Sequence, residues 1–218
     1  AMVVPRLGSL YTHTLPPGLM ANGRSDQLPV ILVDATALMF RAFYAMPPLT
    51  SRNTGLEVGA VVGFCNMLVK LLLPYPSLAP PLLPSQMDQP PEQSPPPVIL
   101  IFDTSAPTFR DELFTEYKAN RGPPPPSLGP QFDVAFDACD AFGWSRLAVP
   151  GYEADDIIAT CAAQVPPSRP VTVVGSDKDL MQLVNDQVSM YDPVKKMRIS
   201  PQEVEEKFGV PPSQLIGT

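Results

Sequence analysis

The segment GYEADDIIAT, residues 151–160, carries three carboxylates within four positions and then becomes apolar. Glu153, Asp155 and Asp156 are predicted to lie at the start of a helix. Capping and the helix dipole often explain an acid-rich first turn without any chemistry. Taken alone, the segment leaves a structural role and a chemical role about equally open.

Three apolar runs each end in an aspartate. The runs VILVD (30–34), VILIFD (98–103) and VTVVGSD (171–177) are rich in β-branched residues and lack polar alternation, which predicts strands buried on both faces. The carboxyl ends of parallel strands share one sheet edge, where open α/β sheets bind their ligands. If these acids were only helix caps, they would be scattered over the fold and would not share one edge. We expect seven acids to converge at this edge: Asp34, Asp103, Glu153, Asp155, Asp156, Asp177 and Asp179.

Seven carboxylates at close range cannot all stay ionised without a counter-charge, since each raises the pKa of its neighbours. A divalent cation would remove the repulsion. Ligands that are all oxygen suit Mg²⁺ or Mn²⁺. Two such ions about 4 Å apart stabilise both the attacking and the leaving oxygen in phosphodiester cleavage. The acids therefore predict metal-dependent phosphoryl hydrolysis.

Positive charge for a phosphate-bearing substrate is present in TFRDELFTEYKANR, residues 108–121. Cations interleaved with aromatic rings can bind phosphates and stack bases. Phe114 is expected to pack inward, whereas Lys118 and Arg121 are expected to bind phosphate. The residue spacing predicts one helical face that carries Arg110, Phe114, Tyr117, Lys118 and Arg121.

The elements that position these residues alternate between strands and helices. This alternation predicts an α/β fold with a parallel sheet and right-handed crossovers. A proline-rich insertion at 74–97 and the shorter break GPPPP at 122–126 are predicted to be loops. Helices are predicted at 57–73, 107–120, 130–142 and 154–165, with short ones at 178–184 and 200–208.

The composition limits the class of protein and its location. The first 28 residues lack periodicity and are predicted to be a disordered tail. Three well-separated cysteines indicate a reducing, intracellular compartment, either the cytoplasm and nucleoid or a DNA-containing organelle. No apolar run is long enough for a membrane span, so no membrane partner is expected. A net charge of −7 argues against nucleic-acid binding only if the acids do not bind metal ions.

Five segments, in order, resemble the 5′-nuclease (flap endonuclease-like) family, and within it the 5′→3′ exonuclease domain of bacterial DNA polymerase I. They are ILVDATALMFRAFYAMPPLT, FDTSAPTFRDELFTEYKANRGPPPP, GYEADDIIA, GSDKDLMQLV and EEKFGVPPSQLIG. The likeness runs from about residue 30 to 216. It implies a PIN-like α/β nuclease with a helical arch, occupying residues 29–212, which removes RNA primers and 5′ flaps in replication and repair.

The resemblance also implies roles for individual residues. Asp34, Asp103 and Asp155 would hold a first Mg²⁺ or Mn²⁺ ion. A second ion would be held by Glu153, Asp156, Asp177 and Asp179. Lys118 and Arg121 would act with Asp155 in catalysis by gripping the scissile phosphate from the arch, with Tyr117 stacking on a base. Arg41 and Arg110 would be further DNA contacts. A metal-bound water would be the nucleophile.

The sequence departs from the family at two places. Ala35-Thr36 replaces the usual Gly-Ser after the first aspartate. The chain stops at Thr218, before the Gly-Asp-x-x-Asp-Asn motif and the helix-hairpin-helix region, so residues 213–218 are expected to be the truncated start of that region. The expected partner is DNA with a 5′ flap, nick or primer, together with a polymerase on the same or a separate chain; a monomer is expected.

Two other functions stay open at this point. The chain could be a weak or inactive remnant that binds nucleic acid or a partner through the 74–97 insertion. It could also be a short PIN-type ribonuclease that needs only the first acid cluster. The intact acids and cations favour the nuclease over the remnant, and the segment EYKANR favours it over the ribonuclease.

Overall fold

The structure, a computed structural model, describes residues 28–72, 96–114, 116–120 and 122–215. The predicted tail and the 74–97 insertion lie outside the described residues except for their last one or two positions. Within the described residues, six strands form one sheet. They are β1 (Val30–Asp34), β2 (Val98–Ile101), β3 (Ser145–Leu147), β4 (Val171–Val174), β5 (Val188–Asp192) and β6 (Met197–Ile199).

The α-helices lie between the parallel strands and after β6, with two after β1, two after β2 and one after β3. They are α1 (Ala35–Ala45), α2 (Gly59–Leu72), α3 (Phe109–Leu113), α4 (Gly129–Phe142), α5 (Ala154–Gln164) and α6 (Pro201–Phe208). Short 3₁₀ helices cover Asp179–Leu183 and Pro212–Gln214. In the described part of the chain, no helix is both long enough and apolar enough to cross a membrane.

The strand order is β3-β2-β1-β4-β5-β6. All neighbouring pairs are parallel except the terminal pair β5–β6, which is an antiparallel hairpin. The predicted α/β class is confirmed. Because β2, β1 and β4 are adjacent and parallel, their carboxyl ends lie side by side, and any acids that follow them meet at one edge.

The core has a layer on each face of the sheet, which explains why the strand sequences do not alternate with polar residues. Ile31 and Val33 of β1 pack on one face with α1, α2 and α4. Val30 and Leu32 pack on the other face with α5 and α6. A parallel sheet covered on both sides buries every position of its central strands.

Helix α1 is held against α2 by glycines. A β-carbon at Gly63 would lie 2.7 Å from Met46 Cγ and 3.0 Å from Ala42 Cβ. One at Gly59 would lie 2.9 Å from the Pro47 carbonyl oxygen. The two backbones therefore pack at close range. This contact fixes the direction of α1, which begins directly after the first candidate acid.

The predicted helix over 107–120 is wrong in its second half, because α3 ends at Leu113. Phe114 is extended, with φ −146°, and Lys118 has a left-handed φ of 56° that a right-handed helix does not allow. The predicted single helical face of cations and aromatics is therefore absent from the described residues. Phe114 is 58% exposed and does not pack inward as predicted. Arg121 lies outside the described residues.

Candidate active site

Asp34 is the last residue of β1 and the N-cap of α1. Its carboxylate accepts a hydrogen bond from the Ala37 amide at 2.9 Å and is 5% exposed. Such a bond satisfies one of the free amides in the first turn of the helix. The turn therefore fixes the position of this carboxylate at the edge of the sheet.

Asp103 follows β2 by two residues and connects three elements. Its backbone amide donates to the Thr36 hydroxyl in α1 at 2.8 Å. Its carboxylate accepts from the Ala154 amide at the start of α5 at 2.7 Å. Asp103 thus brings the ends of β1 and β2 to the helix that carries the GYEADD acids.

The first turn of α5 is built by a capping box. The Glu153 carboxylate accepts from the backbone amide of the third helical residue, Asp156, whose own carboxylate accepts from the Glu153 amide. This reciprocal arrangement leaves Asp155 outside the cap. Gly151, with φ 87°, makes the turn into the helix. The sequence that looked like a cap therefore is one, and it also presents Asp155 to the sheet edge.

The end of β4 lies next to Asp34, on the side of β1 opposite to β2. A β-carbon at Gly175 would lie 3.5 Å from Asp34 Cβ and 3.3 Å from Leu180 Cδ1. Asp177 is exposed, and its carboxylate accepts from the Asp179 amide at 2.9 Å. Both acids therefore lie in the turn that begins the 3₁₀ helix after β4.

The electrostatics of Asp155 show how close these acids are. The pKa of Asp155 is raised to about 8, first by burial and then by the charges of Asp34, Asp177, Asp103 and Glu153. Removing a carboxylate from water and placing it beside like charges both disfavour ionisation. Five of the seven predicted acids therefore form one interacting group.

Asp34 belongs to the same group. Its pKa is raised to about 6, chiefly by burial, although the hydrogen bond from Ala37 opposes this effect. The charges of Asp103 and Asp177 add to the rise. Two neighbouring carboxylates with such raised values are typical of functional sites rather than of isolated caps.

The oxygen-only donor set suits a divalent cation that keeps part of its water better than a cation fully enclosed by protein. Among the described residues, no three Asp, Glu, Cys or His side chains converge closely enough to bind one ion as they stand. Mg²⁺ usually keeps several waters and binds through one or two carboxylates plus substrate phosphates. The oxygen-only group and its mutual repulsion match that mode of binding.

Asp156 differs from its neighbours. Its side chain is 0% exposed, and the Arg110 guanidinium binds both of its oxygens, at 2.5 and 2.7 Å. The Glu153 amide donates to the same carboxylate at 3.3 Å. Arg110 also lies 3.6 Å from the Glu153 carboxylate, and its pKa is raised by the bond to Asp156. The Arg110 side chain thus contacts protein carboxylates.

The turn at 116–120 lies over Glu153. Lys118 Nζ is 2.5 Å from Glu153 Oε1, and the Tyr117 hydroxyl donates to Glu153 Oε2 at 3.0 Å. Burial, followed by the Glu153 charge, raises the pKa of Tyr117. Lys118 therefore reaches the acids although it does not lie on a helix. Arg41 is on α1 and half-buried, and its Nη1 atom has no hydrogen-bond partner among the described residues.

Two residues whose side chains join separate elements were not predicted. The Thr36 hydroxyl accepts a hydrogen bond from the Asp103 amide. The sequence signal for this contact was a hydroxyl residue two positions after the first aspartate. Gln131, 1% exposed, accepts from the Ala60 amide at 2.8 Å and donates to the Ser127 carbonyl at 3.0 Å, joining α4 to α2. No local feature of the sequence indicates a contact between residues so far apart.

The raised pKa values predict a pH dependence of stability for the metal-free protein. Folding raises the pKa of Asp34 and Asp155 from 3.8 to about 6 and about 8. Their favourable contribution is therefore complete below about pH 4 and is lost as pH rises through 6 and 8. We expect the melting temperature in EDTA to fall between pH 5.5 and 8.5, corresponding to a loss of several kcal/mol.

In this experiment Asp155→Asn should flatten the fall, whereas substitution of the exposed Asp133 on α4 should not. Saturating Mg²⁺ should also flatten it in the unsubstituted protein. A melting temperature that rises steadily from pH 5.5 to 8.5 without metal would contradict the raised pKa values of Asp34 and Asp155.

The amino-acid sequence matches the family described as the 5′-3′ exonuclease, N-terminal resolvase-like domain, over residues 29–209. DNA polymerase I of Rhizobium leguminosarum is 46% identical over 188 residues, covering 86% of this chain and 17% of the relative. DNA polymerase I of Pseudomonas aeruginosa is 39% identical over 192 residues, covering 88% and 19%. The chain therefore spans less than a fifth of the length of these relatives.

Solved structures agree with the fold. A bacteriophage T5 protein co-crystallised with metal ions has a TM-score of 0.61 at 19% identity, covering 84% of this chain and 61% of its own. A T5 flap endonuclease in a pseudo-enzyme–product complex with DNA and metal ions has a TM-score of 0.58 at 21% identity, with the same coverage. The resemblance inferred from the five sequence segments is confirmed: this chain belongs to the 5′-3′ exonuclease family and contains its N-terminal resolvase-like domain.

Proposed function

We propose that the chain is a divalent-metal-dependent 5′-3′ nuclease domain that hydrolyses phosphodiester bonds of DNA at 5′ flaps, nicks and RNA primers in replication and repair. One observation carries the proposal. Five carboxylates from three adjacent strand ends and one helix start repel one another at a single edge of the sheet, with a lysine and a tyrosine beside them. That is the layout a metal-assisted phosphoryl transfer needs.

The acids have distinct proposed roles. Asp34, Asp103 and Asp155 would hold a first ion. Glu153, Asp177 and Asp179 would contribute to a second. Bound Mg²⁺ or Mn²⁺ would supply a nucleophilic water at neutral pH and neutralise charge on the phosphate. The chain itself fixes the acids through the Ala37, Thr36 and Ala154 hydrogen bonds, so little reorganisation is needed when substrate binds.

The cations would bind the DNA strand. Lys118 can exchange its contact with Glu153 for a phosphate oxygen, because its side chain is one-third exposed. Tyr117 would stack on a base once its hydroxyl leaves the same carboxylate. Arg41 and Arg121 are proposed as further phosphate contacts; the Nη1 atom of Arg41 has no hydrogen-bond partner within the part of the chain that the structure describes.

The relatives support the proposed setting. They are named DNA polymerase I, so the natural partner domain is proposed to be a polymerase on the same chain. The T5 neighbour is a complex with DNA and metal ions, which favours DNA as the substrate here. We propose that the protein acts as a monomer, inside the cell, where DNA is replicated.

Cleavage of a 5′-labelled flap duplex tests the proposal. With Mg²⁺ or Mn²⁺, the protein should release a short oligonucleotide from the 5′ strand near the junction, and EDTA should stop the reaction. A blunt duplex and a single-stranded RNA of the same sequence serve as controls. Cleavage that survives EDTA would overturn the metal assignment. RNA cut as fast as the flap would favour the short ribonuclease, and binding without cleavage under any metal would favour the inactive module.

A further inference from the structure

Adjacent helical residues point in directions about 100° apart, so Asp155 and Asp156 cannot both face the acid group. Asp155 feels the charges of four other acids. Asp156 is fully buried, and both of its oxygens already accept from Arg110. To reach the Asp156 carboxylate, a hydrated ion would have to break both hydrogen bonds from Arg110 and enter a position that is closed to solvent.

The Arg110–Asp156 pair also connects two parts of the site. Arg110 lies on α3, and the guanidinium carbon is 4.6 Å from the centre of the Phe109 ring. The Phe109 amide donates to the Gly151 carbonyl at 3.0 Å, so α3 contacts the turn that precedes α5. Asp156 in turn holds the Glu153 amide. The pair therefore joins α3, and the turn that carries Lys118, to the start of α5.

We propose that Asp156 is a positioning residue that, with Arg110, clamps α3 and the 116–120 turn to the start of α5, and that it ligates no metal ion. This inference rests on the proposed nuclease function and refines it. The clamp sets the places of Glu153 and Asp155 on one side and of Lys118 on the other. Arg110 is accordingly an internal partner of the site rather than a contact to DNA.

The chain offers a matched control pair. Arg146 and Asp140 form an equally two-bonded contact, at 3.0 and 3.1 Å, but their side chains are 43% and 59% exposed. Exposed pairs contribute little to stability, whereas breaking a buried pair leaves an uncompensated charge. Asp156→Asn should therefore lower the melting temperature by roughly 5 to 10 °C. Asp140→Asn should shift it by no more than about 2 °C.

A double-mutant cycle on Mn²⁺ affinity, measured by calorimetry, separates a clamp from a ligand. Asp156→Asn and Arg110→Met should each weaken Mn²⁺ binding by about 10-fold or more, because each disturbs the groups that orient the ligands. In the Arg110→Met background, however, Asp156→Asn should change the affinity by less than about twofold, since the clamp is already broken. A further 10-fold loss in that background would show that Asp156 is a ligand and would overturn the proposal.

Tryptic cleavage after Lys118 gives a readout that needs no metal. Asp156→Asn and Arg110→Met should each accelerate it by about 10-fold, Arg110→Lys by less, and Asp140→Asn not at all. If one single variant unfolds, the comparison uses Arg110→Lys, which keeps the charge, and the double variant Arg110→Met/Asp156→Asn, which removes both charges. If trypsin cleaves all folded variants after Lys118 at the same rate as the unsubstituted protein, the proposed clamp is wrong. If the unsubstituted protein binds no Mn²⁺, the metal proposal fails while this readout still decides the inference.

Discussion

Asp155→Asn is expected to reduce Mg²⁺-dependent cleavage of a 5′-flap duplex by about a thousand-fold or more. Metal assistance contributes several kcal/mol to stabilising a phosphoryl-transfer transition state, and each 1.36 kcal/mol corresponds to tenfold in rate. Burial, followed by the charges of the other four members of the group, raises the pKa of Asp155, so this acid interacts with all four of them. Single-turnover cleavage of a labelled flap at saturating enzyme measures the effect.

The control for this prediction is Asp133→Asn, because Asp133 is an exposed carboxylate on α4. It should leave the cleavage rate within about twofold. At pH 8 and without metal, Asp155→Asn should melt at a higher temperature than the unsubstituted protein, since a neutral amide removes the repulsion at the sheet edge. A variant that loses cleavage because it unfolds, or that keeps cleavage at the original rate, would contradict the assignment.

Lys118→Met is expected to lower the single-turnover cleavage rate by about 100-fold at saturating enzyme. One preorganised donor aimed at developing charge is typically worth two to three orders of magnitude in rate. Lys118 reaches the acid group through Glu153 at 2.5 Å, so its charge lies next to the proposed ion sites. Its stability effect should be small, because the ion pair is partly exposed.

Lys196→Met provides an unusually close control. Among the described residues, Lys118 and Lys196 are the two non-glycine positions with positive φ, at 56° and 52°. The same substitution therefore meets the same backbone conformation at both sites, but Lys196 lies in the β5–β6 turn. Lys196→Met should keep the cleavage rate at saturating enzyme within about twofold. Equal losses in the two variants would show that backbone strain, and not the position of the charge, explains the result.

The central part of the fold could be predicted because burial on both faces leaves a strong local signal. The runs beginning at Val30, Val98 and Val171 are central strands, and their carboxyl ends meet as expected. Strands β3, β5 and β6 were not predicted. SRL and MRI are only three residues long and form the two edges of the sheet, and VSMYD of β5 contains the polar Ser189. Helix α1 was also missed, because it begins directly at the strand end without an intervening turn.

The path of the chain after α3 could not be predicted from spacing. The sequence 108–121 has good helix formers, yet Asp111 and Thr108 cap a short helix and the contacts to Glu153 hold the following turn. Tertiary contacts overrode local propensity there. The pairing of Arg110 with Asp156 was equally hidden, since 46 residues separate them and the neighbouring Asp155 has the same residue type.

Asp34 has one observed role, as the cap of α1, and one proposed role, as a metal ligand, and a substitution can separate the two. As the cap of α1 it could be exchanged for Asn or Ser with little loss of helix stability. As the acid beside Asp155 it has no such substitute, because only a carboxylate brings the charge. A homologue with Asn or Ser at this position would therefore keep its fold and its sequence similarity while losing the proposed metal chemistry. Residue identity at this single helix cap would distinguish degenerate copies from working enzymes when genomes are surveyed.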